Sequence, residues 1–95
     1  MVKKIAIGVL AYNEEEHIED VLTDVLTLQK NVYVLNDSST DKTKSILEEI
    51  QIAKDFKIIN NSKNEGAGSS TLKLIEKIKN DGFEFVIKVD GDNQF

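Results

Sequence analysis

Four short apolar runs alternate with three amphipathic stretches, and that alternation leaves few folds open to the chain. Ile5-Ala6-Ile7-Gly8-Val9-Leu10 is apolar almost without a break and reads as a strand buried on both faces. Val32-Tyr33-Val34-Leu35 is a second run, Phe56-Lys57-Ile58-Ile59 a weaker third, and Phe85-Val86-Ile87-Lys88-Val89 a fourth. Between the first two, Ile18, Val21, Leu22, Val25 and Leu26 recur at i, i+3, i+4, i+7 and i+8, which is one stripe on a helix. Glu14, Glu15 and Glu16 are expected in its first turn, where the helix dipole favours acidic groups. Ser38-Ser39-Thr40-Asp41 matches a capping box ahead of a second helix carrying Ile46, Leu47 and Ile50. Asn60 to Ser70 is polar and glycine-bearing and reads as a loop, after which Leu72, Ile75 and Ile78 mark a third helix closed by Asn80-Asp81-Gly82.

The order βαβαβαβ predicts an α/β fold: a four-stranded parallel sheet flanked by helices. Right-handed crossovers narrow it to a Rossmann-like half-sheet in the order 3-2-1-4. With 95 residues the chain makes one domain, over residues 1–95, with a thin core. A net charge of −5 argues against nucleic acid or an anionic membrane surface as partner, since phosphate binding needs an excess of Lys and Arg. An acidic site still accepts an anionic nucleotide when a divalent cation lies between them. The absence of cysteine excludes disulfides and thiolate metal sites. No apolar run has the length of a membrane span, and Met1-Val2-Lys3-Lys4-Ile5 does not open like a signal peptide, so the expected location is the cytoplasm, peripheral to a membrane in any full-length form.

Ligands of open parallel sheets bind at the carboxyl ends of the strands. Three strands end there in polar clusters: Ala11-Tyr12-Asn13-Glu14, Asn36-Asp37-Ser38-Ser39 and Asp90-Gly91-Asp92-Asn93-Gln94. Two carboxylates flanking a glycine can turn toward one hard cation, and Mg2+ or Mn2+ takes such ligands while keeping water and phosphate oxygens in its shell. A polar turn is the plainer explanation of the same residues. Asp37 is positioned to accept from a base N–H, or to support the turn into the second helix. Tyr12 offers a ring for stacking, and Glu14 an acceptor for ribose hydroxyls or a helix-dipole partner. His17 reads as a solvated surface residue. Asn64-Glu65-Gly66-Ala67-Gly68 permits close backbone approach and exposes N–H groups at a helix start. It is neither a dinucleotide fingerprint, for it follows the third strand and ends in Thr71, nor a P-loop.

Taken in order, these segments resemble the N-terminal half of the GT-A fold of family 2 glycosyltransferases, especially the dolichyl- or polyprenyl-phosphate sugar synthase type. Leu10-Ala11-Tyr12-Asn13-Glu14 is similar to the family's Pro-Ala-Tyr-Asn-Glu, with leucine at the proline. Asn36-Asp37-Ser38-Ser39-Thr40-Asp41 resembles Asp-Asp-Gly-Ser-Thr-Asp, with Asn36 at the first aspartate. Asn64 to Ser70 resembles Asn-x-Gly-x-Gly-x-Ala, and Asp90, Asp92 and Gln94 meet Asp-x-Asp-x-Gln in full. The resemblance implies that Ala11, Tyr12, Glu14, Leu35, Asp37, Asp90 and Gly91 bind the nucleotide. It implies that Asp90, Asp92 and Gln94 hold Mg2+ or Mn2+ on the diphosphate of a UDP- or GDP-sugar, with a polyprenyl phosphate or a glycan as acceptor. Phosphoryl-transfer enzymes of the haloacid dehalogenase type also carry Asp-x-Asp, but after their first strand and ending in Thr or Val.

Family members continue well beyond the acidic motif into the acceptor half, which supplies the catalytic base. No residue of that half has a counterpart in this chain, so no catalytic residue is assigned, and a fragment that binds nucleotide without transferring sugar is expected. The alternative is a non-catalytic half-domain for assembly or regulation. Its exposed sheet edge, or its helices, would then pair with a second copy.

Overall fold

The computed structural model describes residues 4–92. Its elements run β1 (Ile5–Ala11), α1 (Ile18–Leu28), β2 (Val32–Asn36), α2 (Thr43–Ala53), β3 (Lys57–Asn60), α3 (Ala67–Asn80) and β4 (Phe85–Asp90). All pairings are parallel and the sheet order is β3-β2-β1-β4, as the alternation predicts. The register sets Ala11 beside Asn36, Asn36 beside Asn60 and Leu10 beside Asp90, so the four strands end at one edge.

Side chains of a strand alternate between faces, and both faces of β1 and β2 are covered. Ile7, Val9, Ala11, Val32 and Val34 face α1 and α2, packing with Ile18, Val21, Leu22, Val25, Leu47 and Phe56. Ala6, Tyr33 and Leu35 face α3 and meet Leu74 and Ile78. Gly8 lies on that second face, where a Cβ would come within 3.0 Å of Leu74 Cδ2 and 3.1 Å of Ile78 Cδ1. The missing side chain lets α3 settle onto the sheet. Buried Tyr33 satisfies its phenol by donating to Asp81 at 2.5 Å, and burial together with that carboxylate pushes its pKa up to about 12.

Three local expectations need correcting. Glu14, Glu15 and Glu16 precede α1 rather than occupying its first turn, which holds Glu19 and Asp20. The α2 cap is not Ser38 or Ser39: the helix begins at Thr43, and Asp41 accepts from the Thr43 amide and hydroxyl. Helix α3 starts at Ala67, inside the predicted loop, and its buried stripe is Ser70, Leu74 and Ile78, with Leu72 outward. A small Ser70 reads as polar in sequence, yet the i, i+4, i+8 spacing puts it on the stripe. The end of α3 follows expectation. Gly82 adopts φ 99°, the Gly82 amide donates to Lys79 and that of Phe83 to Ile78, and Phe83 packs back on the core.

No helix among the described residues is long and apolar enough to cross a membrane. Because Leu74 is fully buried and central to the α3 face, Leu74→Ala is expected to destabilise the domain by about 2–5 kcal/mol. Urea unfolding followed by circular dichroism measures this, and a loss below about 1 kcal/mol would contradict the packing described.

Candidate functional site

The carboxyl edge of the sheet is built outward from the end of β1. The Asp37 amide donates to the Ala11 carbonyl at 2.9 Å on one side, and the Gly91 amide donates to the Leu10 carbonyl at 2.9 Å on the other. The three polar segments picked out in sequence are therefore hydrogen-bonded neighbours. Gly91 is buried, and a Cβ there would come within 3.1 Å of the Leu10 carbonyl oxygen and 3.4 Å of Ala11 Cβ and Glu14 Cγ. A glycine between Asp90 and Asp92 thus lets their turn fit against β1 without displacing it.

The β1–α1 loop is stapled to the β2–α2 loop by side chains from both. The Asn13 amide donates to Ser39 Oγ at 3.0 Å, the Glu14 amide to Thr43 Oγ1 at 2.8 Å and the Glu15 amide to Asp41 Oδ2 at 3.2 Å. In return Asn13 Oδ1 accepts from the Thr40 amide at 2.8 Å, and Glu15 Oε1 from the Lys42 amide at 3.2 Å. Asn13 and Ser38 hold left-handed backbone, φ 51° and 59°, a conformation that costs a non-glycine residue about 1–2 kcal/mol and that this network sustains. The staple leaves the Tyr12 side chain 45% exposed at the edge. Sequence reasoning read Asn13, Ser39 and Asp41 only as a motif match or a local cap, and gave Thr43 no role. Their partners lie 26–29 residues away, which no local pattern reveals.

Asp37 is buried, and its contacts run to the segment after β3. Oδ1 accepts from Asn61 Nδ2 and the Glu65 amide, both at 2.8 Å, and Oδ2 from the Gly66 amide at 3.0 Å. Lys73 Nζ in turn donates to Asn61 Oδ1 at 2.7 Å and Glu65 Oε2 at 3.0 Å. The backbone amides ahead of α3, which sequence offered to a ligand anion, receive an internal carboxylate instead. Burial alone would raise the Asp37 carboxyl, but the donors from Asn61, Glu65, Gly66 and Ser70 more than offset it and hold its pKa below the ordinary value. Asn36 points to the opposite face, its amide donating to Asn60 Oδ1 at 3.0 Å while its Oδ1 accepts from the Ser39 amide at 3.1 Å.

Around Gly91 the charges are mostly negative. Burial pushes the Glu14 carboxyl up, Asp92 and Asp41 push it further, and His17, with Nδ1 at 3.6 Å, acts against them. His17 is half-exposed, as expected. Asp90 is open to solvent, with Oδ1 2.6 Å from Lys88 Nζ. Asp92 is half-buried, and Gln94 lies outside the described residues. Ala11 and Leu35 are fully buried, their side chains in the two cores, so only their backbone groups reach the edge. Among the described residues no three His, Asp or Glu side chains are grouped as a ready metal cage. The donor set nevertheless suits a hard cation: two carboxylate groups, oxygen atoms only, and room in the shell for a ligand's own oxygens. A groove of about 910 Å³ lies elsewhere, between α1 and α2, and none of its lining residues belongs to this edge.

An open parallel sheet in the order β3-β2-β1-β4, covered by helices, with acidic and aromatic groups gathered where β1, β2 and β4 end, makes the chain an α/β domain of Rossmann-like type. The family described as glycosyl transferase family 2 matches residues 6–95, and the chain belongs to that family. It is 34% identical over 94 residues to the poly-beta-1,6-N-acetyl-D-glucosamine synthase of Staphylococcus epidermidis, covering 96% of this chain and 22% of that protein. The Staphylococcus aureus synthase (strain COL) is 33% identical over 84 residues, 85% of this chain and 20% of that one. Staphylococcus aureus TarS 1–349 in complex with UDP-GlcNAc superposes with a TM-score of 0.80 at 28% identity, over 94% of this chain and 26% of that one. The mannosyltransferase PcManGT from Pyrobaculum calidifontis, solved with GDP-Man and Mn2+, shares the fold with a TM-score of 0.76 at 21% identity, over 97% and 28% of the two chains. The chain thus spans about a fifth to a quarter of the length of these relatives, and its sheet is the N-terminal Rossmann-like half of their GT-A fold.

The Asp37 clamp is testable. Asp37→Ala leaves the Glu65 amide without its acceptor. It also removes one of two acceptors from the Asn61 side-chain amide, which keeps Ser70 Oγ, and from the Gly66 amide, which keeps Asn64 Oδ1. The change is expected to cost about 2 kcal/mol at neutral pH and to speed hydrogen exchange, at Glu65 above all. Since the folded pKa of Asp37 is depressed, its stabilisation is present above the unfolded carboxylate value of about 3.9 and fades as pH falls through the lower folded value. Asp41, held down by Thr43 and Glu15 against its burial, acts in the same direction. Acid unfolding of Asp37→Asn should therefore be less steep below about pH 4 than that of the wild type.

Proposed function

We propose that this chain is the donor-binding part of a glycosyltransferase and takes a nucleotide sugar, with UDP-N-acetylglucosamine the first candidate. The observation that carries the reading is the Gly91–Leu10 hydrogen bond, which brings Asp90 and Asp92 beside the stapled loop bearing Tyr12 and Glu14. The family membership supports it, and so do the names of the synthases and of TarS with its UDP-GlcNAc. Transfer itself is proposed for the whole protein of which such a domain is a part.

In this reading the Tyr12 ring stacks on the base and Glu14 accepts from ribose hydroxyls. Asp90 and Asp92 hold Mg2+ or Mn2+, with Gln94 as a further ligand and Gly91 as the close-packed turn. The cation, when bound, neutralises the diphosphate and stabilises its departure. Ala11 and Leu35 contribute through the backbone. Asp37 holds the segment up to Gly66 as a wall of the base site, and reading a base N–H with the same carboxylate requires one of its present donors to give way. A glycan acceptor follows from the relatives' names. The Asp-x-Asp-x-Gln motif favours a polyprenyl phosphate instead, and product analysis with the two acceptors separates them.

Calorimetric titration with UDP and with GDP, each with and without Mn2+, tests the donor site. Binding is expected for UDP, dependent on Mn2+, and weakened by about tenfold or more in Asp92→Ala. A folded sample that binds neither nucleotide, or an Asp92→Ala variant that binds as the wild type does, would overturn the proposal.

A further inference from the structure

The fourth strand carries one residue that neither the fold nor the proposed donor site requires. Phe85-Val86-Ile87-Lys88-Val89 is apolar except for Lys88, two positions before Asp90 and so on the same face of the strand. In register Lys88 stands beside Gly8 and Asp90 beside Leu10. The ammonium turns toward the strand end, with Nζ 2.6 Å from Asp90 Oδ1. Both side chains are partly exposed, at 36% and 54%, and an ion pair that open contributes little to stability. Its consequence is electrostatic. Glu14 lies against Gly91, between Asp90 and Asp92, and feels the charge of Asp92, so the strand end is acidic although no three carboxylates there are grouped as a metal cage among the described residues. Negative potential of this kind attracts cations in general, and a positive side chain placed within it opposes that attraction.

We infer that Lys88 is a positioning residue that couples metal binding to nucleotide binding, by acting as the resident counter-ion of Asp90. The inference rests on the reading of Asp90 and Asp92 as metal ligands. A hard cation needs the lone pairs of Asp90 that Lys88 engages, and the ammonium repels a second positive charge a few ångströms away. The bare protein therefore holds the metal weakly. A diphosphate supplies both the negative charge that outweighs the ammonium and the oxygens that complete the shell, so cation and nucleotide arrive together. By linkage, each strengthens the other by the same factor. Lys88 then also has a partner in the occupied state, because its ammonium can turn from Asp90 to the diphosphate.

The experiment measures Mn2+ binding by the loss of the free-ion paramagnetic resonance signal, with Mn2+ alone and with Mn2+ plus UDP, in the wild type, Lys88→Met, Lys88→Gln, Lys88→Arg and Asp92→Ala. Lys88→Met and Lys88→Gln are expected to bind Mn2+ alone about three- to tenfold more tightly than the wild type. The gain in Mn2+ affinity that UDP confers should shrink in both, while Lys88→Arg, keeping the charge, restores the wild-type gain. Thermal melts check that the variants are folded, and two neutral substitutions guard against one that is not. Unchanged Mn2+ affinity in the folded neutral variants, with Asp92→Ala still abolishing binding, overturns the role of Lys88 and leaves the donor site standing. No Mn2+ binding by the wild type even with UDP overturns the donor-site reading itself, and this inference with it.

Discussion

Everything at the edge of this sheet depends on the last two carbonyls of β1. Ala11 receives the Asp37 amide and Leu10 the Gly91 amide, so one strand end joins segments more than fifty residues apart in the chain. Central position gives β1 this reach: it is paired on both sides and covered on both faces, and its apolar run without a polar face is the signature of that burial. Gly8 serves the same end from below, letting α3 lie close enough to fill the second face.

Two kinds of polar order rise from that base. On the α1–α2 side, short side chains from each loop satisfy backbone amides of the other, and they sustain left-handed backbone at Asn13 and Ser38. On the α3 side, a single buried carboxylate gathers Asn61, Glu65 and Gly66 around itself, with Lys73 behind them. The first arrangement presents Tyr12 and Glu14, and the second fixes the approach to α3. Buried polar groups of this kind are stable because each finds its partner, and no buried side-chain nitrogen or oxygen among the described residues lacks one.

The charge distribution separates the two. Asp37 and Asp41 are held ionised by donors, whereas Glu14 is pushed toward its neutral form by burial and by its acidic neighbours. Under the loops, negative charge is met by N–H donors, whereas at the strand end Asp90 meets the Lys88 ammonium and Glu14 faces His17. The −5 net charge of the chain is thus less telling than how each carboxylate is partnered.

Much of this was legible in the residues alone. The sheet order, the three helices, the Gly82 stop and the convergence of three strand ends follow from apolar period, turn chemistry and crossover handedness, which are local or nearly local rules. The motif order also identified the family, which residues 6–95 match. What sequence could not show is where polar side chains find their partners. Asp37 reads as a base acceptor or a support for α2, yet its donors come from the segment before α3. Ser39 reads as a cap, and it accepts from Asn13. Lys88 stands in sequence only as a member of the fourth run, and it lies on Asp90. Apolar burial is a property of pattern and survives averaging over a helix face or a strand. A hydrogen bond is a property of two atoms, and only the folded chain decides which two meet.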